Sequence, residues 1–303
     1  MKDVIVIGAG PAGLTAALYA VRAGLTVTVY EKSVYGGQVT GTAEVENYPS
    51  IQKISGFDFA NNIYNQSISQ GVEINFEEVE KIEDKGNYKV VKTSSGDHES
   101  KTVIIANGVE RRKLGCKGEK EFTGKGVTYC ATCDGAFFKN QDVAIVGGGN
   151  TALEDALFLA NNCSKVYLIH RRDSFRGDKI LIDAVLKREN IEIIYDSGVD
   201  EITGDTKVRE IKIKNLKDDS ISTITVDGIF VAIGLEPKNQ MFSNILELDK
   251  AGYIVADESC TTKVEGVFVA GDNRTKFLRQ IITAASDGAI AAVQAANYVN
   301  TGN

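Results

Sequence analysis

Cys130 and Cys133, with Asp134 directly after them, are the residues whose types and spacing most plainly offer chemistry. Two cysteines at this spacing can close a small disulfide ring. Surroundings that favour the thiolate lower a cysteine's pKa and make such a pair a reversible two-electron store. A thiol-reducing site also needs a proton relay. The chain has only two histidines, His98 and His170, both far from the pair in sequence, which leaves Asp134 as the nearest titratable group. A structural role is open to Asp134 as well, that of a helix N-cap, and the two roles are compatible. A helix starting there would set its positive end beside Cys133 and favour the thiolate. Structural zinc needs two further ligands, and no second Cys-x-x-Cys supplies them. Buried, inert thiols are the blander alternative for the pair, and the natural reading of the scattered Cys116, Cys163 and Cys260.

Something must hold these residues in place, and the chain offers one unit twice. Residues 3–7 read as a buried β-branched strand, and Gly8, Gly10 and Gly13 follow in Gly-x-Gly-x-x-Gly spacing. An apolar helix then runs from Pro11 to about Ala23, Gly24 ends it, and residues 26–30 read as a second strand closing on Glu31. This is the dinucleotide-binding βαβ pattern. The first glycine makes the turn, the second admits a pyrophosphate, the third lets helix and strand approach, and the acid meets a ribose hydroxyl. Pro11 suits a first helical turn, where its missing N–H is no loss.

The unit returns 139 residues later, where 142–149 echo 3–10, Ala156 and Leu157 echo Ala17 and Leu18, and Val166 echoes Val27. Gly147 and Gly149 keep two glycines, and Ala152 replaces the third, as the motif permits. At the ribose position Glu31 becomes His170, followed by Arg171, Arg172 and Arg176. A carboxylate there accepts from a 2′-hydroxyl and repels a phosphate, whereas guanidinium groups grip a 2′-phosphate. The first site therefore suits an adenosine with a free ribose, as in FAD or NAD, and the second suits NADPH. A decayed second copy and a merely solvated basic face are the alternatives; the intact glycine run at 147–149 speaks against decay.

The rest of the chain bounds these readings. At 303 residues the length suits about two domains. The net charge of −7 argues against non-specific nucleic-acid binding, which calls for basic stripes. The apolar N-terminus is not read as a signal peptide, because Asp3 and the glycines interrupt it. No stretch reaches the roughly 18 apolar residues of a membrane span. Five cysteines, an odd number, fit a reducing cytoplasm better than a secreted disulfide framework. An amphipathic stretch at 57–70, strands near 88–92 and 102–105, an alternating segment at 191–226 and a long buried helix at 279–299 complete the expected elements.

Taken together, the chain closely resembles the low-molecular-weight, bacterial-type thioredoxin reductases, which are NADPH-dependent flavoproteins. The resemblance spans essentially the whole length. It is carried, in the family's order, by residues 8–13, Gly36, Gly37 and Gln38, residues 46–49, Cys130, Cys133 and Asp134, residues 147–152, His170, Arg171 and Arg172, and Gly271 and Asp272 with Arg279 and Gln280. It implies an α/β fold of two Rossmann-like, three-layer domains: an FAD domain from 1–111 and 237–303, and an NADPH domain from 112–236 inserted into it.

It implies an FAD site from Gly8, Gly10, Pro11, Ala12, Gly13, Glu31, Gly36, Gly37, Gln38, Asn47, Gly271, Asp272, Arg279, Gln280 and Ile281. The NADPH site would use Gly147, Gly149, Asn150, Thr151, Ala152, His170, Arg171, Arg172 and Arg176. Cys133 matches the thiol facing the flavin, Cys130 the one that exchanges with thioredoxin, and Asp134 the acid/base; no metal is implied. The cysteines and the NADPH fingerprint would have to take turns at one flavin, by rotation on the crossings near Arg112 and Glu236. The resemblance also implies a cytoplasmic homodimer. One departure is Ala106, Asn107 and Gly108, where Ala-Thr-Gly is usual. A glutaredoxin-like or peroxiredoxin partner on the same scaffold is the alternative to thioredoxin.

Overall fold

Strand β1 (Lys2–Ile7) is buried on both faces, and its alternation decides what lies against each. Val4 and Val6 join one cluster with helix α1 (Pro11–Arg22) and the C-terminal helix (Ile281–Thr301), while Ile5 and Ile7 join another with Val79, Ile82 and Phe242. The computed structural model describes residues 1–42 and 44–302, and β1 is central to the first of two units, Met1–Glu110 with Glu236–Asn303. The second unit is Arg111–Leu235.

In the first unit β2 (Val27–Tyr30) pairs in parallel with β1 and with β3 (Glu73–Asn75). Helix α2 (Gly56–Ser69) precedes β3, its first turn capped by Ser55, whose Oγ accepts from Asp58 N at 3.0 Å. Strands β4 (Val79–Asp84) and β5 (Lys89–Thr93) form an antiparallel extension that ends on β6 (Gly96–Ile105). Strand β6 is long because it serves two partners along one edge. Its first half pairs with β5, and Val103–Ile105 pair in parallel with the returning strand Val267–Val269. The result is a seven-stranded sheet with helices on one face. Val109–Arg111, here β7, pairs with Leu235–Pro237 in a two-stranded ribbon where the chain leaves and re-enters this unit.

The second unit repeats the arrangement. Strands β8 (Val127–Thr128), β9 (Asp142–Val146), β10 (Lys165–Ile169), β11 (Ile191–Ile194) and the later strand Gly228–Val231 make an all-parallel sheet. Helix α3 (Glu119–Phe122) is a single turn before β8. Val143 and Ile145 face the cluster of α5 (Asn150–Ala160) and α6 (Lys179–Leu186), and Ala144 and Val146 face the antiparallel sheet β12 (Ser197–Gly204), β13 (Val208–Asn215) and β14 (Ile221–Thr225). Each unit is thus a three-layer Rossmann-like α/β fold, and β9–α5–β10 is the structural copy of β1–α1–β2. Among the described residues no helix is long and apolar enough to cross a membrane.

One expectation is corrected here. Helix α4 (Ala131–Asp134) ends at Asp134 instead of starting there, so Cys130 occupies the N-cap and Asp134 makes no capping bond. A single turn, continued as a 3-10 turn through Phe138, has little dipole to offer Cys133. The physical reason is local: Ala131 is 2% exposed and anchors that turn in the core, which starts the helix one residue after Cys130. Helix α6 has no clear signal in the sequence, because its Lys179–Leu186 run is short and flanked by charges.

Candidate functional site

Cys130 and Cys133 are joined in a disulfide with their Cα atoms 5.3 Å apart, and both are half-buried. Short strand β8 delivers them: its Thr128 Oγ1 donates to Asp134 Oδ2 and accepts from Cys130 N at 3.4 Å. The Asp134 N–H in turn donates to the Cys130 carbonyl at 3.1 Å. Burial pushes the Asp134 carboxyl up, against the Thr128 bond and the Arg111 charge, which favour ionisation. Its Oδ1 is buried with no hydrogen-bond partner among the described residues, which is where a proton would sit. The pair therefore lies beside a carboxyl that holds its proton to higher pH than an exposed aspartate does.

The surroundings add groups that the sequence did not mark. The Arg111 guanidinium lies 5.7 Å from the Tyr129 ring centre, and Tyr129 donates to Glu119 Oε1 at 2.9 Å. Burial and Glu119 push the Tyr129 hydroxyl up to about 12, so it stays a donor. Asp155, on α5, is pushed up to about 6, by burial first and Glu154 second, with Arg111 opposing. Nothing in local spacing flags Thr128, Arg111 or Asp155, because they gather only when β8, β7 and α5 come together.

The glycine loop of the same unit opens α5. Gly149 is the N-cap, no side chain caps the helix, and a Cβ placed on Gly149 would meet nothing within 4 Å. Those free N–H groups and that open space fit a pyrophosphate. Gly147 is held tight, since a Cβ there would stand 2.5 Å from the Ala152 side chain and the Ala232 carbonyl. Asn150 exchanges two bonds of 2.8 Å with Asp178, and Arg176 N donates to the Gly148 carbonyl at 2.8 Å. These bonds draw the 171–178 loop beside the glycines. Arg171, Arg172 and Arg176 are exposed on it, and Thr151, in the first turn of α5, is exposed as well.

His170 is buried where the arginines are exposed. Its ring is 4% exposed, lies under Gly148 and is 3.1 Å from the Ser174 carbonyl. Burial lowers its pKa, so it is neutral at pH 7 and shapes the loop without carrying charge.

In the first unit the corresponding residues converge on Ala9 and Gly10. Gly8 takes φ +103° beneath the Ala106 carbonyl, and a Cβ on Gly13 would lie 1.9 Å from the Gly8 carbonyl oxygen. Gly10 is the uncapped N-cap of α1, Pro11 and Ala12 open the helix, and the space above Gly10 is free. Glu31 is 9% exposed, and its two oxygens accept from Ala9 N at 2.9 Å and Ser33 N at 3.0 Å. Gly36 N donates to the Ala9 carbonyl at 2.7 Å, and a Cβ on Gly37 would stand 3.4 Å from Gly10 Cα.

The remaining members close the same cradle. Gln38 Nε2 reaches the Val109 carbonyl at 2.9 Å, and Asn47 Nδ2 reaches Gln280 Oε1 at 3.1 Å. Gln280 caps the C-terminal helix, whose first residue is Ile281. Arg279 Nε donates to the Asp272 carbonyl at 3.2 Å, and its guanidinium lies 4.2 Å from the Tyr253 ring centre. Gly271 rests on Ala12, where a Cβ would lie 2.9 Å from the Ala12 Cβ. Three stretches far apart in sequence thus line one helix N-terminus with room above it, a fit for a second dinucleotide.

Two nucleotide cradles and one disulfide define a class. The model of the pyridine nucleotide-disulphide oxidoreductases matches residues 2–295. The thioredoxin reductase of Listeria monocytogenes is 45% identical over 298 residues, covering 98% of this chain and 93% of that protein. That of Treponema pallidum is 42% identical over 300 residues, covering 99% and 97%. The crystal structure of thioredoxin reductase from Streptococcus pyogenes superposes with a TM-score of 0.95 at 42% identity, covering 99% of both chains. The chain belongs to the pyridine nucleotide-disulphide oxidoreductase family and, within it, to the thioredoxin reductases.

Proposed function

We propose that this chain is a thioredoxin-disulfide reductase, an NADPH-dependent flavoenzyme. The observation that carries it is the Cys130–Cys133 disulfide beside the buried Asp134 carboxyl, on the unit that holds the arginine-flanked glycine loop. In this reading Met1–Glu110 with Glu236–Asn303 binds FAD, and Arg111–Leu235 binds NADPH and carries the cysteines. Glu31, held open by two backbone N–H groups, suits the free ribose of FAD. The exposed Arg171, Arg172 and Arg176 suit the 2′-phosphate of NADPH.

When bound, NADPH and FAD would supply hydride and electron-pair transfer, which side chains cannot provide. The chain's own part is sulfur and proton chemistry. Opening the Cys130–Cys133 bond takes two electrons and two protons and leaves two thiols. Asp134, whose carboxyl burial shifts toward the protonated form, is placed to relay one such proton. The Cys130 thiolate then attacks an oxidised thioredoxin and forms a mixed disulfide, releasing the partner's first thiolate. Cys133 attacks Cys130 Sγ, re-forms the internal disulfide and frees the second.

The names of the relatives favour thioredoxin over a glutaredoxin-like or peroxiredoxin partner. The odd cysteine count supports a cytoplasmic protein, and the net charge of −7 one with no nucleic-acid partner. The family resemblance supports a homodimer. The test is direct. Protein reconstituted with FAD should be yellow, bleach with NADPH under anaerobic conditions, and turn over oxidised thioredoxin. Cys133→Ser should bleach yet fail to turn over; full turnover by that variant, or a protein that takes up no flavin, sinks the reading.

A further inference from the structure

Asp287 is the single charged residue of the 21-residue C-terminal helix, and it is 3% exposed. A bare carboxylate could not stay ionised there. This one is met from several sides. Its Oδ2 accepts from the Gly271 backbone N–H at 2.9 Å, Arg274 Nε at 2.8 Å and Lys276 Nζ at 2.8 Å, and its Oδ1 accepts from Arg274 Nη2 at 2.9 Å. Burial opposes its ionisation, but Arg274 and Lys276 hold the carboxyl below the usual range. Arg274 is fully buried, and its other donors reach the Thr275 carbonyl at 2.9 Å and Glu258 at 3.2 Å.

What the cluster grips is the cradle of the first unit. Gly271 rests on Ala12, and Gly288, next to Asp287, lies so close to α1 that a Cβ there would stand 2.2 Å from the Ala12 carbonyl oxygen. The Arg274 carbonyl accepts from Arg279 Nη2 at 3.2 Å, and the Asp272 carbonyl from Arg279 Nε at 3.2 Å. Gly271 itself takes φ +92°, a conformation that needs outside support to be the only one populated. Apolar residues of similar volume would pack a helix as well as a buried ionic cluster does. Packing is therefore no reason for these charges; a directional hold on one backbone N–H is.

We propose that Asp287, with Arg274 and Lys276, is a positioning device for the FAD cradle. It fixes the Gly271–Asp272 turn against the first turn of α1, so that both segments meet the cofactor in one preorganised geometry. The inference rests on the reading of the first unit as the FAD-binding one.

The test follows flavin release from the holoenzyme after dilution, read as the rise in free-flavin fluorescence, for wild type, Asp287→Asn, Lys276→Met and Lys89→Met. Lys89 is a control in the same unit: it is 1% exposed and bonded to Asp84 and the Gly86 carbonyl on the β4–β5 hairpin. Asp287→Asn should release flavin roughly 10- to 100-fold faster than wild type, and Lys276→Met a few-fold faster, with excess FAD restoring turnover. Lys89→Met should lower the melting temperature and leave release unchanged. If Asp287→Asn does not fold, Lys276→Met carries the test, since it leaves the Arg274 pair in place.

Release at the wild-type rate from a folded Asp287 or Lys276 variant overturns the inference alone. So does equally fast release from Lys89→Met at a matched loss of melting temperature. A wild-type protein that takes up no FAD overturns the reading of the first unit, and the inference with it.

Discussion

Arg171 and Arg176 stand exposed on either side of a loop tied to the second glycine run by the Arg176–Gly148 bond. In the proposed NADPH site their attraction for a 2′-phosphate would be charge-assisted and only partly screened by water. Replacing both by alanine should raise the KM for NADPH roughly tenfold to a hundredfold, about 1–3 kcal/mol, while NADH changes little. Steady-state kinetics with both nucleotides decide the matter, and equal losses would remove the phosphate assignment. Asp155 makes a different prediction. Its carboxyl, pushed up to about 6 from an ordinary 3.8, binds its proton more tightly in the native state than in the unfolded chain. Stability is therefore lost as pH rises from near 3.8 to near 6, and stays lost above. Asp155→Asn should stabilise the protein by about 3 kcal/mol at pH 8 and by about 1 kcal/mol at pH 4.5. Melts at the two pH values check this, and an equal gain at both would point to another cause.

At the scale of elements, the two βαβ units separate fold from ligand within a few residues. Gly13 is needed for packing, because its missing Cβ is what lets α1 approach the Gly8 carbonyl. Gly10 is not, because the space around it is open. Gly13→Ala should cost about 1–3 kcal/mol of stability through overpacking. Gly10→Ala should leave the melting temperature of the flavin-free protein within about 2 °C, yet weaken FAD binding at least tenfold by filling the cradle. Denaturant titration and flavin fluorescence quenching report the two effects separately. A Gly10→Ala protein that binds FAD normally would mean that the pyrophosphate lies elsewhere.

For the whole molecule, the core clusters are grouped by unit: those around β1 draw only on Met1–Glu110 and Glu236–Asn303, and those around β9 only on Arg111–Leu235. Two cores imply two cooperative transitions. Calorimetry of the flavin-free protein should resolve them, and each cofactor should move only one. At a hundredfold excess over its Kd, FAD should add about 2.7 kcal/mol to the transition of the first unit, and NADP⁺ a similar amount to the second. A single transition raised equally by both ligands would contradict separate cradles.

Local signals alone determined the paired strand–glycine–helix–strand units. A β-branched strand, a glycine turn and an apolar helix are each specified by neighbours in the chain, so β1–α1–β2 and β9–α5–β10 could be located, and matched at a shift of 139 residues, before any fold was known. The cysteine pair and the change from Glu31 to His170, Arg171 and Arg172 were readable for the same reason. Tertiary structure decided the rest. It split β6 between two partners, started α4 at Ala131, buried His170 while leaving the arginines exposed, and gathered Thr128, Arg111 and Asp155 near the cysteines. Each of those outcomes depends on which distant segments exclude water from a group, and burial of that kind is a property of the folded chain that no local spacing encodes.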